Sequence, residues 1–325
     1  MSLSNKDDIQ VSVCVVTYNQ EKYIAECLES LVTQQTSFKF EIIVGEDCST
    51  DGTRAIVQQY VEQYPDLIVP LFYEENVGAV ENVKRVYKAA KGKYIAHMDG
   101  DDLAIQGKLQ RQFDSLELHL DCNVCSHNVM RIDKDGKSLK KNIVFPENKY
   151  NLFDLYCHLP FFVHSSKMFR NKYSVSFWDN LLSKDYILDL DIHISNLIDG
   201  DIYHIGEYYG KYRVETGISF IARKINPILS IGAERVFEKG KVIFMNDYQK
   251  LQIIKKLYAR SMLGCAYEYA INDQDIEKFK EYVNKSVHES RIGLVQVFFE
   301  FGVIFPKLFF ILLKIRDKLR QFKHK

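Results

Sequence analysis

The chain has 325 residues, of which 46% are hydrophobic and 13% aromatic, with 16 Gly and only 6 Pro. This composition is typical of a folded protein with a sizeable core and excludes a disordered or collagen-like chain. Lysine and arginine together number 43, as do aspartate and glutamate, so the formal net charge is zero and the sequence predicts no nucleic-acid partner.

Seven cysteines are scattered along the chain, an odd number that favours a reducing compartment over a disulfide framework. Cys122 and Cys125 have the spacing of a zinc-binding pair, but no second Cys/His pair accompanies them, so we interpret them as buried side chains. The first eight residues are polar and do not resemble a secretory signal. These features predict a cytoplasmic location.

Strand-like and helix-like patterns alternate in the first hundred residues. Short β-branched runs are typical of strands buried on both faces, and apolar residues three and four positions apart mark helix faces between them. Such alternation predicts an α/β fold with right-handed crossovers and a doubly wound parallel sheet. The strands are predicted at 11–17, 40–44, 67–73 and 94–98, and the helices at 23–32, 56–61 and 77–90.

Polar residues follow the first, second and fourth predicted strands, at Thr17–Asn19, Glu46–Ser49 and Asp99–Asp102. In a doubly wound sheet, ligands bind beyond the carboxyl ends of the strands, so we expect these residues to line a ligand site. Neither the G-x-G-x-x-G loop of dinucleotide-binding proteins nor the G-x-x-x-x-G-K-[ST] phosphate loop is present. The sequence is therefore a poor match to a dehydrogenase or a P-loop NTPase.

Asp99-Gly-Asp-Asp102 places three carboxylates within four residues. They repel one another unless a cation or strong hydrogen-bond donors neutralise them. Carboxylate oxygens on a short turn suit Mg²⁺ or Mn²⁺, whose coordination substrate phosphates commonly complete. The alternative is a solvated acidic turn in which Asp102 caps the next helix, but the position after a buried strand favours the metal site.

Five short segments occur in order along the first third of the chain. They are Val16-Thr-Tyr-Asn19 with Leu28-Glu-Ser-Leu31 and Gln34; Glu41 to Thr53; Glu75-Asn-Val-Gly78 with Asn82; Gly92-Lys-Tyr-Ile95; and Asp99-Gly-Asp-Asp102. Each segment alone is a weak signal, whereas five in order are a strong one. Together they resemble the family 2 glycosyltransferases, which include many bacterial polysaccharide and O-antigen enzymes. That family has the GT-A fold, a Rossmann-like and mostly parallel sheet flanked by helices, and the resemblance runs from about Val11 to Ser219.

The resemblance implies a nucleotide-sugar donor and a divalent ion, Mn²⁺ or Mg²⁺. Tyr18 would stack near the base, and Asp47 would accept a hydrogen bond from the base imide. Asp101 and Asp102 would meet the ribose and the ion, which would stabilise the diphosphate as the sugar–phosphate bond breaks. Many relatives have Asp where this chain has Glu46. The predicted donor-binding set is Thr17, Tyr18, Asn19, Glu46, Asp47, Ser49, Asn76, Asp99 and Asp101.

Phe161–Arg170 resembles the family's segment on the acceptor side, in which small hydroxyl residues precede an apolar strand and an arginine. The resemblance implies that His164 and Ser165 lie near the acceptor, where His164 would touch its hydroxyls. The alternative for His164 is a structural hydrogen-bonding role, which is the more common role of a lone histidine.

Lys184–His193, followed by Gly200 and Tyr212-Arg213, resembles the family's Gly-Asp element, which precedes a helix, a glycine turn, a strand and a Tyr-Arg pair. The family often carries a histidine two residues after this pair. Glu215 stands there in this chain, which puts a metal or phosphate role at that position in doubt.

Counting back from Gly200 aligns Asp189 with the family's catalytic aspartate, although Leu188 replaces the usual glycine. An inverting transfer needs one carboxylate that takes the proton of the acceptor hydroxyl as its oxygen attacks the sugar. Asp189 is the first candidate, Asp191 the second and Asp185 the third. An acidic first helical turn, which the helix dipole favours, is the alternative role for these residues.

From Pro227 the strand alternation ends and the pattern becomes helical. We therefore predict a catalytic domain at residues 1–225 and a helical C-terminal region at 226–325. Two amphipathic helices in this region are expected to pack against the catalytic domain.

The segment 292–325 begins with a richly apolar stretch and ends with basic residues; it carries seven Lys/Arg against two acidic residues. Its apolar part is long enough to cross a bilayer, but Glu300 and Lys307 lie near its middle and Pro306 interrupts it. We predict that it lies in the interface of an anionic membrane. The alternative is a soluble helix that completes a dimer or the core.

The sequence thus favours an inverting, metal-dependent hexosyl- or N-acetylhexosaminyltransferase at the inner face of the cell membrane, with a UDP-sugar as the default donor and a glycan or lipid-linked acceptor. A nucleotidyltransferase is one alternative, but Thr17-Tyr-Asn-Gln20 lacks the Gly-rich basic loop it usually needs. A catalytically inactive glycan-binding module on the same fold is the other, and the intact set of aspartates argues against it.

Overall fold

The chain is described as a computed structural model that covers residues 8–140, 142, 144–159, 161–181, 189–214 and 227–323, with side chains as far as Arg316. It divides into two compact units, Met1–Thr216 (unit 1) and Gly217–Lys325 (unit 2). The domain boundary predicted at 225/226 lies outside the described residues and stays a prediction.

The described part of unit 1 contains one sheet of nine strands in the order β3-β2-β1-β4-β8-β6-β9-β5, with β7 paired to β9. The longest strands, β6 and β9, run parallel to each other. The strands are β1 Val11–Thr17, β2 Phe40–Glu46, β3 Ile68–Phe72, β4 Tyr94–Asp99, β5 Leu103–Ala104, β6 Cys122–Ile132, β7 Asn148–Tyr150, β8 Met168–Arg170 and β9 Asp201–Arg213.

Strands β1 to β4 form the parallel, doubly wound part that the sequence predicts. β1 lies between β2 and β4, and β3 pairs with the outer edge of β2, always in parallel. Apart from the partly buried Val16 and Phe40, the apolar residues of β1 and β2 are buried on both faces, which explains their continuous β-branched pattern. The prediction of this half of the sheet is confirmed.

The second half of the sheet is mixed rather than wholly parallel. β8 runs antiparallel to both β4 and β6, and β9 runs antiparallel to β5 and β7. Three of these strands have only two or three residues, so periodicity gives no signal for them. The predicted, mostly parallel sheet is confirmed, and the antiparallel pairs among the described strands all involve β8 or β9.

Helices cover the sheet of unit 1 with their apolar faces. Ile24, Cys27, Leu28 and Leu31 of α1 are fully buried in the same core cluster as Val13 and Val15. The helices are α1 Ile24–Val32, α2 Thr53–Gln63, α3 Ala79–Ala89, α4 Lys108–Leu118, α5 Leu152–Cys157, α6 Val175–Leu181 and α7 Asp189–Asn196.

Unit 2 is helical in its described part. Asp247 and Asp275 cap α9 and α10, because each side chain accepts a hydrogen bond from the backbone three residues on. Phe279, Phe299 and Phe309 form its aromatic core, with ring centroids 5.2–6.1 Å apart. The helices are α8 Pro227–Ile243, α9 Tyr248–Glu268, α10 Ile276–Glu289, α11 Leu294–Ile304 and α12 Pro306–Lys323.

The apolar segment predicted at 292–313 is divided between α11 and α12, which meet at Phe305 and Pro306. A proline at the first position of a helix is compatible with helical geometry, whereas one inside a helix is not. Among the described helices, none combines the length and the apolar content that crossing a membrane requires.

Candidate active site

The carboxyl ends of β1, β2 and β4 meet at one edge of the sheet. Val16 of β1 is paired with Asp99 of β4, and Thr17 of β1 with Glu46 of β2. The pairing continues past the strands, because the backbone N–H of Asp47 donates to Thr17 O at 3.1 Å. The three polar segments predicted to follow these strands therefore share one edge.

Asp47 is 2% exposed, and the loop before α3 fixes its carboxylate. Oδ1 accepts a hydrogen bond from Val77 N at 2.7 Å and Oδ2 from Gly78 N at 3.0 Å, while Asn76 Nδ2 donates to Asp47 O at 3.0 Å. Gly78 has φ +85°, a conformation that favours glycine. Burial raises the pKa of Asp47 and these two N–H donors oppose the rise.

Glu46 supports the neighbouring loop from inside. Its side chain is fully buried, pairs with Arg54, and accepts a hydrogen bond from Ser49 N at 2.7 Å. Ser49 Oγ in turn accepts from Asn19 N at 3.0 Å, which joins the loops after β1 and β2. Tyr18 is 41% exposed beside them, so its ring is the accessible aromatic surface here.

Asp101 and Asp102 are both buried in the turn after β4. Asp102 Oδ1 accepts a hydrogen bond from Arg213 N at 2.8 Å, whereas Asp102 Oδ2 is buried and has no hydrogen-bond partner within the described part of the chain. Burial and then the charges of Asp99 and Asp101 raise the pKa of Asp102 well above its usual range. This orphaned oxygen fits a ligand that carries positive charge.

Arg213 binds the turn from the end of β9. Its side chain is 2% exposed, and its Nε donates to Asp101 O at 3.0 Å. The same guanidinium donates to Asp133 O and Lys134 O at 3.2 and 3.3 Å and pairs with Glu26 at 2.9 Å. The planar, multi-donor geometry of arginine suits this position, where one cation organises the turn and a neighbouring loop.

Asp99 connects the turn to the segment predicted on the acceptor side. Its Oδ2 accepts a hydrogen bond from Ser165 Oγ at 3.1 Å, and its Oδ1 lies 3.2 Å from His97 Nε2. The other ring nitrogen of His97 is 2.9 Å from Tyr87 OH. Although burial opposes it, these contacts hold the pKa of Asp99 below its usual range. Ser165, which is 5% exposed, is therefore engaged with Asp99.

Lys108 is a buried cation at the start of α4. It is 1% exposed, and its Nζ donates to Ser165 O. Burial lowers its pKa to about 8, against the attraction of Asp102. Because the cation lies near a buried carboxylate group, it offsets part of the negative charge that collects in the turn.

Asp189 begins α7, where its Oδ1 accepts a hydrogen bond from Leu190 N at 2.9 Å. Its side chain is 48% exposed, whereas Asp191 is 5% exposed. Desolvation by the protein groups packed around the carboxylate raises the pKa of Asp189, and the positive charge of the buried Lys167 opposes the rise. Burial also lowers the pKa of Lys167 to about 7, against the attraction of Asp189 and Asp99. Asp189 is thus the accessible member of the predicted pair.

His164 lies in a single 3₁₀ turn, His164–Ser166, before β8. Its ring centroid is 3.7 Å from that of His97 and 5.3 Å from that of His193 on α7. Burial is the main cause of a lowered pKa in all three imidazoles. The residues predicted on the acceptor side therefore belong to a compact histidine cluster next to Asp189.

The turn after β4 and the start of α7, 87 residues apart in sequence, are linked through two histidines. His97 contacts Asp99, its ring centroid is 3.7 Å from that of His164, and a ring nitrogen of His164 lies within 4.8 Å of an Asp189 carboxylate oxygen. We call Asp99, Asp101, Asp102 and Asp189 the acidic group. Burial, and then the charges of these four residues, raise the pKa of Tyr212 to about 12. Asp47 lies on the same sheet edge, beyond β1.

The family model described as glycosyl transferase family 2 matches residues 12–176, just over half of the chain. The chain belongs to glycosyl transferase family 2. The resemblance inferred from the five sequence segments is confirmed, and the matched region contains the whole of the acidic turn after β4 and the acceptor-side segment.

Relatives of this family-2 chain come from bacteria and archaea. An uncharacterized protein of Mycobacterium tuberculosis is 32% identical over 207 residues, which cover 62% of this chain and 58% of the relative. An uncharacterized glycosyltransferase of Methanocaldococcus jannaschii is 28% identical over 258 residues, 73% of this chain and 82% of the relative. A Bacillus subtilis protein named for teichuronic acid biosynthesis, TuaG, is 36% identical over 138 residues, 42% of this chain and 54% of the relative.

Solved structures share the fold. S. aureus TarS 1-349, crystallised in complex with UDP-GlcNAc, has a TM-score of 0.63 and 19% identity, over 86% of this chain and 82% of TarS. A second crystal structure of S. aureus TarS 1-349 has a TM-score of 0.60 and 17% identity, over 86% of this chain and 81% of TarS. The GT-A fold expected for a family 2 glycosyl transferase is confirmed.

Several residues of this family-2 site were not predicted from the sequence. Lys108 and Lys167 stand among mixed polar and apolar residues, and nothing in the neighbouring sequence marks them as buried. Arg213 and His193 lie in segments whose sequence was identified as similar to the family, but no role was predicted for either residue. Of the predicted residues, Asp185, Leu188, Glu215 and Ser219 lie outside the described part of the chain.

Proposed function

We propose that this protein is an inverting, metal-dependent glycosyltransferase that moves a hexosyl or N-acetylhexosaminyl group from a UDP-sugar to a hydroxyl of a glycan or lipid-linked acceptor. One observation carries the proposal: at the edge of a family 2 sheet, the turn after β4 buries an unpaired Asp102 oxygen and is linked through His97 and His164 to Asp189 at the start of α7. The UDP-GlcNAc complex of TarS, which shares the fold, supports the choice of donor.

In the proposal, the donor nucleotide lies along the ends of β1 and β2. Tyr18 offers an exposed ring for stacking on the base, and Asp47 offers a carboxylate that the loop before α3 already orients. Thr17, Asn19 and Ser49 shape the loops around it, and Glu46 holds them from inside. A preformed pocket of this kind reduces the entropy cost of binding the donor.

Asp101 and Asp102 would hold Mn²⁺ or Mg²⁺. The fit rests on chemistry: hard carboxylate oxygens suit these ions, and the buried Asp102 Oδ2 has no hydrogen-bond partner among the described residues. When bound, the ion would supply positive charge beside the leaving diphosphate. Asp99, held by Ser165 and His97, would contribute to the donor pocket.

Asp189 would take the proton of the attacking acceptor hydroxyl. Its accessible side chain and raised pKa suit a general base better than the buried Asp191 does. One base is sufficient for inversion, because the diphosphate leaves from the opposite side of the anomeric carbon. In the proposal, His164 faces the acceptor side and Ser165 orients Asp99.

The test is a donor-hydrolysis and transfer screen over nucleotide sugars, with Mn²⁺, Mg²⁺ or EDTA. We expect activity with at least one UDP-sugar, loss on EDTA treatment and a fall of about 100-fold or more for Asp102→Ala and for Asp189→Asn. Asp199→Asn is the matched control, because this carboxylate is 64% exposed, and its contacts are with Lys172 and with the Asn123 side-chain amide, whose hydrogen bond an asparagine oxygen can still accept.

The outcomes separate the alternatives. Full activity and metal response in Asp102→Ala would refute the metal assignment, and normal transfer by Asp189→Asn would move the base to Asp191. Saturable glycan binding without turnover of any nucleotide sugar would favour the inactive glycan-binding module. Release of pyrophosphate from a nucleoside triphosphate and sugar phosphate would favour the nucleotidyltransferase.

We further propose that unit 2 contacts an anionic membrane at the inner face of the cell membrane. Eleven large apolar side chains of α11, α12 and the residue between them are exposed, among them Leu294 at 86% and Ile304 at 69%. Basic residues follow on the same segment, including Lys307, Lys314 and Arg316. An apolar surface bordered by lysine and arginine complements acyl chains and anionic headgroups better than it complements a second protein.

Vesicle co-sedimentation tests this contact. The full chain should bind phosphatidylglycerol vesicles and bind phosphatidylcholine vesicles more weakly. Changing Leu294, Ile304 and Ile311 to Ser should abolish binding. The control changes Val242 of α8, Met245 between the two helices and Tyr248 of α9 to Ser; these side chains are 62–75% exposed, and their loss should leave binding intact. Dimer dissociation by the first variant, with no vesicle binding by the unaltered chain, would instead identify the surface as a dimer interface.

A further inference from the structure

Two histidines and one carboxylate converge beside the acidic group. A ring nitrogen of His164, a ring nitrogen of His193 and a carboxylate oxygen of Asp189 all lie within 4.8 Å of one another. Asp189 and His193 are one turn apart on α7, with 3.9 Å between Oδ2 and Nε2. Imidazole nitrogen and carboxylate oxygen are the ligand types that Zn²⁺ and similar ions take from proteins.

A second observation points to a missing ligand. His193 Nε2 and His164 Nδ1 are both buried and have no hydrogen-bond partner among the described residues. A buried polar atom left unpaired costs about 1–3 kcal/mol, and two such atoms in one small cluster are uncommon in a folded protein. The other nitrogen of His193, Nδ1, lies 3.4 Å from Lys167 Nζ, which leaves Nε2 turned toward Asp189.

We propose that His164, Asp189 and His193 form a second cation site, selective for a borderline transition metal such as Zn²⁺ or Co²⁺. Its two imidazoles distinguish it from the carboxylate site of Asp101 and Asp102, which suits Mg²⁺ or Mn²⁺. Ligand atoms around tetrahedral zinc lie about 3.4 Å apart, so the cluster closes by at most about 1.4 Å on binding, and the Asp189–His193 pair by only about 0.5 Å. The exposed Asp189 side chain has the freedom to make that movement.

The site has a consequence that rests on the proposed function. An ion held by Asp189 occupies the lone pair that would accept the proton of the acceptor hydroxyl. Zn²⁺ at this site therefore inhibits transfer, while Mg²⁺ at the carboxylate site supports it. Binding of the metal does not itself depend on the proposed function, and it is measured without any nucleotide sugar.

The experiment titrates the metal-free full chain with Co²⁺ in saturating Mg²⁺, which occupies carboxylate sites but competes poorly for imidazoles. We expect one Co²⁺ per chain with the visible absorption of nitrogen-ligated cobalt. His164→Gln and His193→Gln should each weaken binding by at least about 10- to 100-fold. His158→Gln, at an exposed histidine outside the cluster, is the matched control and should bind like the unaltered chain.

Lys167→Met should increase the affinity for Co²⁺, a result that misfolding of the variant would not produce. The lysine Nζ lies 3.4 Å from His193 Nδ1 and repels a cation bound at the opposite nitrogen, so its removal should tighten Co²⁺ binding. Unchanged Co²⁺ binding by both histidine variants, or weaker binding by Lys167→Met, would overturn the proposal. Failure of this titration leaves the transfer assay unaffected, and an inactive transferase that still binds Co²⁺ through both histidines leaves the cation site standing.

Discussion

The two units of the molecule differ in whether they bury ionisable side chains. Unit 1 buries many ionisable side chains, whereas the buried polar residues of unit 2, within the described ranges, are the uncharged Ser230, Ser286 and Gln296. The lysines of unit 2 instead form ion pairs that solvent reaches, such as Lys285 with Glu234. The buried ionisable residues of unit 1 are Glu41, Glu46, Asp47, His97, Asp101, Asp102, Lys108, His127, Lys167, Asp191, His193, His204 and Arg213.

The two units differ in which side chains they bury and which they expose to solvent. Desolvated charges interact more strongly than charges in water, and several of those in unit 1, such as Asp47, Asp101 and Asp102, lie at the sheet edge where the proposed chemistry takes place. Their burial costs free energy that hydrogen bonds from groups such as Arg213 offset. Unit 2 is stabilised by aromatic packing and exposes apolar side chains on its last two helices. The stability of unit 2 should therefore depend on how closely its core side chains pack rather than on buried charges.

Removal of one buried cation from unit 1 tests this contrast most severely. Arg213→Met removes the guanidinium donor from the carbonyls of Asp101, Asp133 and Lys134, of which Asp133 O keeps the backbone N–H of Gly136. It also removes the cation beside the buried carboxylates of the turn, and we expect a loss of about 3–5 kcal/mol in the free energy of unfolding. Urea denaturation, followed by hydrogen exchange in unit 1 peptides, measures it. Arg291→Met, at a 66% exposed arginine of unit 2, should lose less than about 1 kcal/mol. Equal losses would contradict the contrast.

Lowering the pH should destabilise unit 1, because its buried histidines are neutral in the folded state and take up protons when the chain unfolds. His204 is held neutral between Ser126 and Asn128, and burial lowers its pKa to about 4 from an ordinary 6.5. Between these values the unfolded chain binds more protons, so stability is present above pH 6.5 and is lost as the pH falls toward 4. The loss from this residue approaches about 3 kcal/mol.

His204→Gln isolates that contribution, because glutamine hydrogen-bonds but does not titrate. We compare the pH dependence of unfolding for the two proteins, which cancels the opposing contributions of Asp102 and Asp189, whose pKa values are raised. The variant should lose less stability than the unaltered chain between pH 6.5 and 4. Parallel curves would show that His204 is not held neutral by burial.

The parallel half of the fold was predictable because its signals are local. The predicted strand at 11–17 has the bounds of β1, and the predicted strand at 94–98 differs from β4 by one residue. β8 has three residues and pairs with β4 and β6, which lie about 40 to 70 residues earlier in the chain. No periodicity in a segment that short encodes such partners, so the mixed half of the sheet was not predictable.

The site shows the same division. Carboxylates that follow buried strands, such as Asp47 and Asp99, were found because position and chemistry agree in the sequence. The buried cations Lys108 and Lys167 were missed because nothing local distinguishes a lysine that snorkels to solvent from one enclosed by the fold. The pairing of His164 with His193 depends on where α7 lies against the turn before β8, which only the tertiary structure determines.

One added methyl group tests whether the stability of unit 2 depends on the close packing of its aromatic core. A Cβ at Gly302 of α11 would lie 2.6 Å from Phe309 Cγ and 2.9 Å from Phe279 Cζ, closer than packed atoms approach. Gly302→Ala should therefore destabilise unit 2 by about 1–2 kcal/mol, after allowing for the better helix propensity of alanine. Hydrogen exchange in peptides of α10 and α11 measures the loss. Unaltered protection there would mean that the aromatic core is loosely packed.

The smallest effect is expected at a glycine of unit 2 that has room. Gly264 lies inside α9, and a Cβ built there meets no atom within 4 Å. Gly264→Ala should raise the free energy of unfolding by about 0.5–1 kcal/mol, because alanine loses less backbone entropy than glycine in a helix. The same exchange measurement on α9 peptides checks it. Opposite signs at Gly264 and Gly302, for one identical substitution, follow only if packing space governs the stability of unit 2; a loss at both positions would mean that another factor does.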